Sequence, residues 1–285
     1  MTVMGEQRDF YNIKKEGFLF ERQASVQDAV QDLEKHFTEA RPGLRQLAEG
    51  LQDSFRAGTY DAIVGEDRSG RLPTLFVRRF AERVANDGGQ KVPQVFFVAG
   101  GRHLSIPEQR DVLQEYIRTL KSRIQRRALL VTEYIARGVS TGHLAESFEK
   151  EGIPFDIAAV SLDCPPEDYY TGEPQKHGAA IASDLTYGGR EVSKGEAWSG
   201  ASIPEDAKIF SGDNPGDSKM VHGLRFHNVQ EAHGVWTTPA TGEATTIRNW
   251  WARPEVVRAA REKIEQIADE IYEELYPKEE IAKAA

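Results

Sequence analysis

The stretch Ala128-Leu-Leu-Val-Thr-Glu-Tyr-Ile-Ala-Arg-Gly-Val-Ser-Thr141 decides how this chain is read. Ala128 to Val131 make the short continuous apolar run of a strand buried on both faces, and polar Thr132 and acidic Glu133 end it. Small residues then lead into a helix expected from about Thr141 to Glu151. A parallel strand that enters a helix through such a loop forms an anion site. The free N–H groups and the positive dipole end of the helix point into the crevice beyond the carboxyl end of the strand. Gly138 allows close backbone approach there, and Ser140 and Thr141 add hydroxyl donors.

A second unit of the same design lies upstream, in Asp61-Ala-Ile-Val-Gly-Glu-Asp-Arg-Ser-Gly-Arg-Leu-Pro73. An apolar strand again runs into a polar loop and then a helix. Gly65 and Gly70 are expected to supply unusual backbone angles, while Arg68, Ser69 and Arg71 supply donors for a polyanion. An ordinary strand-to-helix connection with surface arginines is the other reading. Two arginines flanking Ser-Gly after a buried strand favour the polyanion.

Outward from these units the chain alternates strands and helices. Apolar runs at 60–65, 94–99, 128–131 and 156–162 read as strands, with helices over 72–86 and 107–123 between them. This alternation predicts an α/β fold, a parallel sheet flanked by helices. Before it, Val26, Val30, Leu33 and Phe37 mark a helix over 25–39. Arg41-Pro42-Gly43 is expected to break that helix, and Leu44, Leu47, Leu51 and Phe55 mark a second one that stops near Gly58. From Pro165 to about Thr246 no period is sustained, which predicts irregular chain with short strands. Pro254 then opens a charged helix with Val257, Ala260, Ile264, Ile267, Ile271 and Leu275 at helical spacing. That face docks on the domain or, in the other reading, on a second subunit as a homo-oligomer.

Composition narrows the function. At 285 residues, 39% hydrophobic and 28% charged, the chain is long enough for a sizeable core. Forty-five acidic against 36 basic residues give a net charge of −9, which opposes general attraction to nucleic acid and to anionic membranes. No apolar run reaches the ~20 residues of a membrane span and no secretory core opens the chain, so a cytoplasmic location is expected. A single cysteine, Cys164, excludes an internal disulfide and a Cys-rich zinc site. His222, His227 and His233 are too loosely spaced to suggest a metal site, and glycine fingerprints for dinucleotide or Walker-type ATP binding are missing.

Over about Tyr60 to Asp184 the chain resembles the type I phosphoribosyltransferase family, whose signature is four apolar residues, two acids and a loop of small residues. The resemblance implies a core at 60–190 and a helical or hood segment at 1–59. An irregular insert or hood at 191–250 and a C-terminal helix at 251–285 complete the chain. It implies a ligand, 5-phosphoribosyl-1-pyrophosphate (PRPP) or a nucleoside monophosphate, and a nitrogenous base as acceptor, with Mg²⁺ as cofactor. Carried over by position, Ala136, Arg137, Gly138, Val139 and Ser140 surround the 5-phosphate. Thr132 and Glu133 occupy the acidic places, and Glu133 also serves the metal and the chemistry. Arg68 and Arg71 act on the pyrophosphate, with Ser69 and Gly70 beside them. Tyr169, Tyr170 and Asp184 resemble the surroundings of the base, although turns use the same residue types. Gly100 to Ser105, with Arg102 and His103, is either a short lid or a plain connection. The chain departs from the family pattern at Thr132, where an acid is usual, and at Arg137, where a small hydroxyl residue is usual. Arg137 reads as an extra phosphate clamp or as a solvated loop residue. Catalytic phosphoribosyl transfer, non-catalytic sensing of PRPP or a nucleotide, and cleavage of a nucleotide all fit these residues.

Overall fold

The structure, a computed structural model, describes residues 26–66, 70–99, 107–135, 139–162, 206–211, 235–237, 240–241, 244–246 and 254–277. Its helices are α1 (Val26–Arg56), α2 (Arg71–Gly88), α3 (Pro107–Lys121), α4 (Val139–Lys150) and α5 (Pro254–Leu275). Its strands are β1 (Ala62–Glu66), β2 (Gln94–Val98), β3 (Ala128–Ile135), β4 (Phe155–Leu162), β5 (Ile209–Ser211), β6 (Val235–Thr237) and β7 (Ala244–Thr246).

The first five strands form one sheet in the order β2-β1-β3-β4-β5, and every pairing in it is parallel. β6 and β7 make a separate antiparallel pair. The apolar runs are continuous rather than alternating because helices cover both faces of the sheet. Ile63, Leu129, Val131, Ala158 and Val160 join the core shared with α1, α2 and α5. Ala62, Val64, Ala128, Leu130, Ile157 and Ala159 join the core shared with α3 and α4. The fold class expected from the alternation, an α/β parallel sheet flanked by helices, is the one observed. β5 comes from the stretch read as irregular chain with short strands.

Two sequence readings are corrected. The break expected at Arg41-Pro42-Gly43 does not occur, and α1 runs through Pro42 for 31 residues. A mid-helix proline costs about 3 kcal/mol. The buried positions Leu33, Phe37, Ala40, Leu44, Leu47, Leu51 and Phe55 nevertheless stay on one face across it. Each large apolar side chain so buried contributes about 1.5–3 kcal/mol, so two of them offset the proline. Arg41, beside it, ties the helix to Glu270 and Glu274 of α5. β3, in turn, continues past Val131 to Ile135, pairing Thr132 with Ala159 and Ile135 with Leu162. Thr132, Tyr134 and Ile135 are strong strand formers, and β4 is long enough to pair with all of them.

α5 docks as its spacing predicts, except that Val256 rather than Val257 is the fully buried residue of its first turn. Asp269 receives both Nε and Nη2 of Arg79 at 2.9 Å, and Arg83 adds a third bond at 3.1 Å.

Candidate functional site

The sheet order places the site. From β1 the chain moves outward to β2, then crosses back to form β3 on the other side of β1. The direction of winding therefore reverses between β1 and β3, and helices leave their carboxyl ends on opposite faces. A crevice opens at such a switch point, and it is where open parallel sheets bind ligands. Val64 pairs with Leu130 and Gly65 with Val131, so both candidate loops leave neighbouring strands at the same end of the sheet.

Glu66 and Thr132 follow that last pair, two residues on from Val64 and Leu130. The Thr132 hydroxyl donates to Glu66 Oε2 at 2.8 Å. Both side chains are buried, at 3% exposure for Thr132 and 6% for Glu66, and Glu133, the next residue of β3, is 3% exposed. Two carboxylates thus sit at the carboxyl ends of adjacent central strands. Burying ionised carboxyl groups is costly unless they are hydrogen-bonded or meet cations, so residues of this kind concentrate at sites with a task.

The return of the chain from the first loop is tightly constrained. The Gly70 amide donates to the Glu66 carbonyl at 2.9 Å, and Gly70 then caps α2 in the ordinary right-handed region, with φ −77°. The expected role for Gly65 and Gly70, unusual backbone angles, is corrected, since neither has positive φ. Space is the reason instead. A Cβ on Gly70 would lie 2.4 Å from the Glu66 carbonyl oxygen and 2.6 Å from that of Val131. At Gly65 it would meet Thr74 Oγ1 at 2.4 Å and the Phe97 ring at 2.8 Å. The start of α2 therefore lies directly on the end of β1 and on Val131 of β3. Arg71, 7% exposed, holds its guanidinium 4.6 Å above the Phe97 ring of β2.

On the other side, α4 starts at Val139, two residues before the expected Thr141, so Val139 and Ser140 lie in its first turn and Thr141 is buried. Among the sequence-predicted site residues, the structure brings Gly70, Arg71, Thr132, Glu133, Val139 and Ser140 to one end of the sheet. Arg68, Ser69, Ala136, Arg137 and Gly138, and with them Tyr169, Tyr170, Asp184, Arg102 and His103, lie outside the described residues. Glu66 was not singled out from sequence. Its available signal was an acid closing a buried apolar strand, which gains meaning only once the register sets it beside Thr132.

A separate groove of about 170 Å³ runs along the seam between α3 and α4, lined by Arg110, Gln114, His143, Glu146 and Lys150 among others. Burial, and then the neighbouring Arg110, hold the His143 imidazole below its ordinary pKa, against the opposing pull of Glu146. Among the described residues no group of three or more His, Cys, Asp or Glu side chains is arranged to hold a metal ion. No described helix is long and apolar enough to cross a membrane.

No family model and no curated protein matches this chain. Among solved structures it is similar to a purine phosphoribosyltransferase from Pyrococcus horikoshii Ot3, with 19% identity and a TM-score of 0.26 over 42% of this chain and 72% of that one. At that score the likeness carries no inference about chemistry.

Proposed function

We propose that this chain holds PRPP, or a nucleotide made from it, in the crevice beyond β1 and β3 and transfers the phosphoribosyl group to a nitrogenous base. The observation that carries the reading is the switch point itself. It brings two loop-forming units, each legible as an anion site, to the same end of neighbouring parallel strands.

In the proposed reaction the lone pair of a ring nitrogen forms a bond to C1 of the ribose as the C1–O bond to pyrophosphate breaks. The electron pair of that bond leaves with pyrophosphate, and the ring nitrogen gives up its proton to solvent water. The reverse reaction runs through the same oxocarbenium-like state. Little covalent work falls to the protein, so positioning and charge stabilisation dominate. Arg68 and Arg71, with Ser69 and Gly70, are assigned to the leaving group. Ala136, Arg137, Gly138, Val139 and Ser140 are assigned to the 5-phosphate, where first-turn amides of α4 add their dipole. Thr132 and Glu133 are assigned to the ribose hydroxyls, and Tyr169, Tyr170 and Asp184 to the base. Mg²⁺ takes phosphate oxygens, waters and one or two carboxylates, and the buried oxygen donors at this end of the sheet fit that need, Glu133 being the assigned ligand. When bound, the ion would offset the charge developing on pyrophosphate.

One observation favours a second reading, a non-catalytic sensor of PRPP or a nucleotide. Thr132 stands where the resembled family has its first acid, so one charge is missing from β3. Pyrophosphate release from PRPP and Mg²⁺, assayed against a panel of purines, pyrimidines and related heterocycles, separates the two. Release that depends on one class of base is expected. Silence across the panel, with PRPP binding retained, would leave the sensor.

A further inference from the structure

The charge missing at Thr132 is supplied across the sheet. We infer that Glu66 is a positioning residue that acts through Thr132 to hold the ribose hydroxyls, an inference that rests on the reading of the site given above. A threonine hydroxyl carries one proton and two lone pairs, and left to itself it serves a ligand as donor or acceptor. Here the proton is committed. An ionised carboxylate only accepts, so the 2.8 Å contact makes Thr132 Oγ1 the donor and Glu66 Oε2 the acceptor. The lone pairs of Oγ1 remain for a third group. A hydrogen bond to a charged acceptor is short and strong, and in a buried setting it polarises the hydroxyl further toward accepting. Thr132 therefore presents to the crevice what a carboxylate oxygen presents, an acceptor suited to the hydroxyl donors of a sugar.

The geometry holds this arrangement in place. Glu66 ends β1 and Thr132 lies on β3, each one residue beyond the paired Gly65 and Val131, so their separation is set by the sheet. The β-branched side chain of Thr132 is stiff at χ1, and its 3% exposure leaves it little room to turn. Glu133, the next residue of β3, lies on the other face of the sheet, the face of Leu129 and Val131. The carboxylate beside Thr132 is thus supplied by β1 rather than by β3 itself.

The test uses the full chain with ribose 5-phosphate and 2-deoxyribose 5-phosphate, whose affinities are compared by calorimetric titration. Wild type is expected to prefer the ribose form. Thr132→Val, which removes the hydroxyl at constant shape, and Glu66→Gln, which removes the charge of the acceptor that polarises it, should each lower that preference about tenfold. Thr132→Ser should keep it to within about twofold, and in Thr132→Val and Glu66→Gln the affinity for the ribose form should fall more than that for the 2-deoxyribose form. If Glu66→Gln does not fold, Glu66→Asp, which keeps the charge but withdraws it from Thr132, is read in its place, with the same loss of preference expected. Binding of both sugars with the wild-type preference in Thr132→Val or in Glu66→Gln, or with no ribose preference in wild type, would overturn the role of Glu66 and leave the proposed site standing. No binding of either sugar phosphate or of PRPP by wild type would remove the site and this inference together.

Discussion

Asp156→Ala should lower stability by about 3–5 kcal/mol, the cost of breaking a buried ion pair from one side. Asp156 is 2% exposed and accepts from the Tyr60 hydroxyl at 2.6 Å, from Arg127 Nη1 at 2.6 Å and from the Lys208 amide at 2.9 Å. Tyr60 leads into β1, Arg127 into β3 and Lys208 into β5, so one carboxylate ties together three strand entries beside its own β4. Removing it leaves the Tyr60 hydroxyl, on a residue 1% exposed, without that acceptor. Arg127 keeps Asp206 at 2.7 Å, which points to the lower part of the range. Urea unfolding measures the loss, and it is large beside a typical total stability of about 5–15 kcal/mol. Because the network lies at the amino ends of the strands, ligand affinity of the folded fraction should not change. Burial and the Asp156 carboxylate raise the Tyr60 phenol above its ordinary pKa. The folded state thus holds a proton that the unfolded chain releases near pH ~10, so this contribution is fully present below that pH and is lost as pH rises from there through the higher folded-state pKa.

Phe80→Ala should cost a similar ~3–5 kcal/mol, through the cavity left in the layer that carries α2. Phe80 is fully buried and meets Phe55 of α1 at 6.3 Å, Phe76 of α2 at 6.4 Å and Tyr272 of α5 at 6.2 Å between ring centroids. These separations are those of favourable aromatic pairs, and one residue serves three helices. The same layer sets where α2 begins, at the Gly70 contact with Glu66 at the end of β1 and Val131 of β3. Looser packing at Phe80 should therefore weaken ligand binding as well as stability, and it should expose α5 to proteolysis. Phe80→Leu, which keeps most of the volume, should recover most of both. Unfolding curves and limited digestion of the two variants check this, and equal stability of Phe80→Ala and wild type would contradict the packing account.

Much of the fold was legible because its signals are local. Continuous apolar runs such as Ala128 to Val131 report a strand covered on both faces, and the spacing from Ala260 to Ile271 reports a docked helix. Pro42 misled because a local penalty was outweighed by burial contributed from distant α5 and α2. The end of β3 was placed too early because pairing with β4, not the polarity of Thr132 and Glu133, decides where a strand stops. Within the site, the two loop units were readable as strand, small residues and helix. Glu66 was not, since a lone acid at the end of a strand looks like the first residue of a loop. Only the register of β1 on β3 shows that it meets Thr132.

The central claim is that the β1/β3 crevice takes a 5-phosphoribosyl ligand, and calorimetric titration of the chain with PRPP and Mg²⁺ tests it most directly. Saturable binding is predicted, with thermal unfolding shifted upward by the ~2.7 kcal/mol that a ligand at about 100 times its dissociation constant supplies. No heat and no stabilisation with PRPP or with any nucleoside monophosphate would contradict it.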